Sequence, residues 1–123
     1  MARRTRVRWA AVDARDLRDL VRFDEDGPRH EPLFESEHLW SELVCLEVNQ
    51  VVGTIADPDS DALALIVTGR VVVQVDRRRK RLGQWEAALV PAGAELTITN
   101  ATGEPAVVLL VAAPPPPERA VTG

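Results

Sequence analysis

Asp57, Asp59 and Asp61 alternate through the stretch Asp57-Pro58-Asp59-Ser60-Asp61. Carboxylates so closely spaced can hold a hard cation or move a proton, but acids set around a proline also make an ordinary solvated turn. The two histidines, His30 and His38, are the residues able to act as a general base near neutral pH. Nothing in their spacing brings either one to Asp57. Cys45 is alone, so it has no disulfide partner within the chain, and its place in Leu43-Val44-Cys45-Leu46 suits a small buried hydrophobe. Arg77, Arg78, Arg79, Lys80 and Arg81 form a basic run that reads as an exposed hairpin. Three roles stay open for it: a solvated edge that deters strand pairing, a partner for the acidic segment Asp24 to Glu47, or a grip on an anion. No residue is assigned a catalytic role on this pattern.

The elements that must carry these residues are short and rich in β-branched side chains. From Leu43 onward come the runs Leu43–Val48, Val51–Ile55, Ala62–Gly69, Arg70–Asp76, Ala87–Pro91, Glu95–Asn100 and Ala106–Pro114, separated by turn formers. Such spacing, with no helix between, predicts an all-β sandwich or barrel. Upstream, Leu17, Leu20 and Val21 at helical spacing predict a short helix capped by Asp13. The acidic stretch after it, broken by Gly27-Pro28 and Pro32, predicts an extended segment that wraps the core. The chain therefore divides into an N-terminal arm, short helix and wrap over 1–42, a β-barrel over 43–113, and a Pro-rich tail over 114–123.

With 123 residues, 46% of them hydrophobic and 28% charged, the composition is that of one soluble globular domain. The N-terminus has no apolar signal core and the chain no apolar run of membrane-spanning length, so a cytoplasmic protein without membrane contact is expected. The formal net charge is -4, although Arg3, Arg4, Arg6 and Arg8 join the run at Arg77 to form two basic clusters. The rest of the chain is strongly acidic, which argues against nucleic acid as a partner.

Pro91, Gly93 and Asn100, together with Gly69, are spaced as in the cupins, a family of small jelly-roll barrels, and the stretch from about residue 43 to 113 resembles that family. The resemblance implies a double-stranded β-helix. It also implies a metal held by three histidines and a glutamate, whose positions can be counted from the retained residues. Those places fall on Ile55, Asp57, Ala62 and Leu96, while the opening glycines of the two family motifs fall on Asn49 and Trp85. Leu96 thus stands where the resemblance puts a histidine, and only Asp57 of the four has a metal-binding side chain. A jelly roll without metal or other cofactor is expected.

By family register and the two-residue strand period, Ile55, Ala62, Ala64, Ile66, Leu96 and Ile98 point inward. Ile55, Asp57, Ala62, Ile66, Leu96 and Ile98 are accordingly the candidate ligand-binding residues of an aliphatic lumen with one carboxylate at its rim. The expected function is non-catalytic, either small-molecule binding or protein interaction. The alternative is a metal-independent isomerase, epimerase or cyclase that uses Asp57 with a histidine from the wrap. Apolar residues on both faces of Leu43–Val48 and Ala106–Ala113 lead to an expected homodimer, unless the N-terminal segment covers the outer face itself. Trp85 is expected in the core or at an interface.

Overall fold

A computed structural model describes residues 12–117. Nine strands alternate with tight turns: β1 (Arg29–Glu35), β2 (Trp40–Leu46), β3 (Val51–Ile55), β4 (Asp61–Thr68), β5 (Arg70–Val75), β6 (Arg78–Gly83), β7 (Ala87–Val90), β8 (Leu96–Thr99) and β9 (Ala106–Ala113). They form two antiparallel sheets, ordered β1-β2-β9-β4-β7 and β3-β8-β5-β6. From β2 onward the chain crosses repeatedly between the sheets, as the expected all-β jelly roll requires. Among the described residues no helix is long and apolar enough to cross a membrane.

Gly69 alone links β4 in one sheet to β5 in the other, with φ +86. A Cβ there would lie 2.6 Å from the Pro105 carbonyl oxygen, so the corner has no room for a side chain. Between the sheets, Val44, Leu46, Ile66, Val71, Val73, Ile98 and Val108 form a closed core. The two positions that correspond to the opening glycines also keep left-handed backbone, with φ 69 at Asn49 and φ 72 at Trp85. Asparagine adopts that conformation readily, whereas for a bulky tryptophan it is strained.

Both faces of β2 are buried. Its inner face joins the main core through Trp40, Val44 and Leu46. Its outer residues Leu43 and Cys45 pack with Val107 beneath Leu17, Leu20, Val21 and Phe23, so the N-terminal segment covers this part of the sheet within one chain. The short helix is a single 3-10 turn, Leu17–Leu20, and its cap is Asp16 rather than Asp13. Asp16 accepts the Arg18 backbone N–H at 3.0 Å, and the chain must then extend to lay Val21 and Phe23 on the sheet. The wrap beyond includes β1, which among the described residues pairs only with β2. An edge strand can include Pro32 because one of its sides has no ladder to break.

Candidate functional site

Among the described residues, one end of the barrel is filled and the other encloses a cavity. A cavity of about 290 Å³ lies between the sheets, walled on one side by Trp40 and Glu42 of β2, Ala62 of β4 and Ala112 of β9, and on the other by Ile55 of β3 and Leu96 of β8. Side-chain size explains the position of the space. Ala62 sits opposite Ala112 and Val90, whereas farther along the same strands Ile66 sits opposite Val108. Alanine pairs leave a gap that the isoleucine layer closes.

Four of the six candidate residues, Ile55, Asp57, Ala62 and Leu96, line this cavity together. Ile66 and Ile98 lie in the fully buried core and are not part of its wall. Ile55 reaches the lumen through a bulge. Val52 pairs with Ile98 and Ile55 with Leu96, so β3 spends one residue more than β8 between these pairs. The extra residue reverses the parity of the strand and turns Ile55 back toward the core, on the same side as Val52. Gly53 makes the bulge possible: its φ is +119, and a Cβ would lie 2.5 Å from the Leu96 carbonyl oxygen.

The acidic loop acts mainly as a clasp at the mouth. Asp57 accepts the Asp59 N–H at 2.8 Å, Asp61 accepts the Ala92 N–H at 2.9 Å, and the Gly93 N–H donates to the Asp57 carbonyl at 2.8 Å. These bonds fix the β3–β4 loop against the Pro91–Gly93 corner. Ser60 donates to the Pro114 carbonyl at 2.6 Å, anchoring the chain after β9.

The feature that sequence reading missed is Glu42. It is 3% exposed, lines the cavity, and lies with Oε2 2.8 Å from Nδ1 of His30, so the imidazole N–H donates to the carboxylate. His30 is on β1 and does not line the cavity. The wrap therefore brings a histidine to a cavity carboxylate, but to Glu42 rather than to Asp57. His38 is 87% exposed beside Glu37. A signal for Glu42 existed in the strand period: Trp40, Glu42, Val44 and Leu46 share one parity, and three of the four are core types.

A metal in such a barrel needs three or four donor atoms within about 2.0 to 2.3 Å. Ile55, Ala62 and Leu96 offer hydrocarbon and Asp57 offers one carboxylate, so these four positions do not fit that requirement. Among the described residues, no three His, Cys, Asp or Glu side chains gather in a way that could hold a metal ion.

Two surface features complete the inventory. Arg78 to Arg81 lie on β6, the edge of the four-stranded sheet, and none of Arg77 to Arg81 forms an ion pair among the described residues. Pairing with the acidic segment inside the chain is therefore not what holds them. Trp85 is 73% exposed and outside the core, so the core is not the one of its two expected places that it takes. Its backbone is left-handed and its N–H donates to the Ile66 carbonyl at 2.8 Å; Leu89, four residues on, is 67% exposed as well.

Residues 42–112 match the family model described as a cupin domain, more than half of the chain. The chain belongs to the cupin family. This cupin is similar to the Thermus thermophilus protein TT1209, with 31% identity and a TM-score of 0.82 over 85% of this chain and 100% of that one. Two further structures share the fold. An uncharacterised conserved protein with a double-stranded β-helix domain from Klebsiella pneumoniae is 15% identical, with a TM-score of 0.79 over 85% of this chain and 91% of that one. An RmlC-like cupin protein from Desulfovibrio desulfuricans is 18% identical, with a TM-score of 0.77 over 85% of this chain and 99% of that one. A search of curated proteins found no match.

Proposed function

We propose that this cupin is a metal-free module that binds a small molecule in the cavity between its sheets. The observation that carries the reading is the cavity itself: about 290 Å³ of space, walled mostly by hydrocarbon, at the positions where the family resemblance places metal ligands. That volume is at the lower end of small-molecule sites, which run from about 300 Å³ upward. Titration with cyclohexylmethanol, followed by amide chemical shifts, tests it. Saturable shifts at Ile55, Ala62 and Leu96 are expected, and Ala62→Leu, which fills the space, should abolish them. Binding that survives the filling would contradict the reading.

A second reading, a metal-independent isomerase, epimerase or cyclase, is favoured by the His30–Glu42 contact at 2.8 Å. Solvent deuterium entering an enolisable carbonyl compound, and lost in His30→Gln, would support it. We also propose that two copies associate through the outer face of β4 and β7. There Leu63 pairs with Leu89 across the strands, both exposed, and β7 is a sheet edge.

A further inference from the structure

The turn Asp76-Arg77 and strand β6 carry cations at every position from Arg77 to Arg81, all of them exposed. Across the hairpin, Arg78 to Arg81 face Val75, Gln74, Val73 and Val72 of β5, so the register sets no carboxylate opposite a cation. Opposite charges there would have stabilised the hairpin. The nearest acids are bound to backbone instead: Asp76 accepts the Glu95 N–H at 2.9 Å, and Glu86 accepts the Gly83 N–H at 2.7 Å. Arg70 lengthens the patch. It pairs with Gly83 across the strands, and its guanidinium carbon lies 3.6 Å from where a Gly83 Cβ would stand. Neither Arg70 nor any of Arg77 to Arg81 forms an ion pair among the described residues. A single well-placed charge deters an edge strand from pairing with its like, whereas this many unpaired cations also repel one another.

The backbone of β6 is open at the same edge. The two-residue turn, with Asp76 at φ 55, makes Val75 and Arg78 the closing pair. Alternation from that pair directs the N–H and C=O groups of Lys80 and Leu82 to β5 and those of Arg79, Arg81 and Gly83 away from it. The Gly83 N–H accordingly meets the Glu86 side chain. No strand among the described residues takes the outward groups of Arg79 and Arg81. Side chains alternate as well: Arg79 and Arg81 share one face, and Arg78 and Lys80 share the other with the buried Leu82. We infer that β6 receives an acidic, extended peptide segment of another protein as a fifth strand of its sheet, with that segment's backbone on Arg79 and Arg81 and its carboxylates on the cations of both faces. A strand alternates its own side chains and so reaches both faces. A nucleic-acid duplex would meet one face and be repelled by the acidic remainder of the chain. A second copy presenting its own β6 would set cation against cation. None of these residues lines the cavity, so the inference stands apart from the small-molecule reading.

Fluorescein-labelled Val-Glu-Glu-Thr-Glu-Glu-Val, capped at its free end, tests the inference on the full chain by fluorescence anisotropy and amide hydrogen exchange. Saturable binding is expected, weakened roughly tenfold or more between about 20 and about 300 mM salt because the charges are exposed. The glutamine analogue should not bind. The same peptide N-methylated at every residue should bind roughly tenfold or more weakly, having lost its backbone donors. Exchange of the Arg79 and Arg81 amides should slow in the complex. The double variant Arg79→Glu/Arg81→Glu should lose peptide binding while its thermal midpoint is no lower than that of the wild type and its response to cyclohexylmethanol is the same. A peptide that does not bind, or that binds equally well when N-methylated or to the double variant, would overturn the inference. A short DNA duplex bound more tightly than the peptide would overturn it too. So would a wild-type dimer that the double variant reduces to one chain with no peptide bound, since the edge would then belong to a second copy.

Discussion

Asn100 is fully buried and ties three segments with one side chain. Its amide donates to the carbonyls of Leu46 at 3.2 Å, Glu47 at 3.2 Å and Glu104 at 2.8 Å, and its Oδ1 accepts from Thr102 N–H and hydroxyl. It bridges to Leu46 at the far end of β2, 54 residues away, which only the folded sheet order can bring near. Asn100→Ala leaves buried carbonyls without donors and should lower stability by about 2 to 3 kcal/mol in denaturant titration. Cys45 obeys a different rule at the same scale. Burial pushes its thiol above the ordinary 9.0, so the folded form holds its proton longer than the unfolded chain does. Its contribution is therefore complete below pH 9 and is lost as the pH rises further, and alkylating reagents should label Cys45 only after unfolding. Labelling in the native protein at the rate of a free thiol would show that the cover of Leu17, Leu20, Val21 and Phe23 lifts readily.

At the scale of elements, strand identity was legible because alternation and turn residues agree along most of the barrel. Ser60 and the aspartates around it mark the β3–β4 loop, and Pro91 and Gly93 mark the turn before β8. Parity was harder to read. Plain alternation from Val52 would turn Ile55 outward, and only the bulge at Gly53 brings it back to the lumen. Gly53→Ala would set a Cβ against the Leu96 carbonyl and force a side chain into a φ of +119, so it should cost about 1 to 3 kcal/mol and shift the amide resonances of Ile55 and Leu96. The His30–Glu42 contact was hidden for a related reason. It depends on β1 pairing with β2 in a register that sets Pro32 opposite Glu42, and a proline ordinarily argues against a strand. An edge position removes that objection, but edge and centre cannot be told apart in a single chain of residues.

For the whole molecule, what the barrel needs and what its surface offers are separate. Asn49 and Trp85, at the places where the family resemblance puts glycine, both carry left-handed backbone. At Trp85 an exposed indole sits at an unfavourable φ, four residues before the exposed Leu89 of the edge strand β7. Trp85→Gly should leave the barrel at least as stable to heat while weakening self-association, seen as a fall in mass by light scattering from two chains toward one. A wild-type mass of one chain would refute the dimer. The apolar cavity, by contrast, arises where Ala62 of β4 faces Ala112 of β9 and owes nothing to that surface. The central claim is that this cupin works without a metal, and elemental analysis of the purified full chain tests it most directly. Iron, manganese, nickel and zinc should each be far below one equivalent, and one equivalent of any of them, retained through dialysis, would contradict the account.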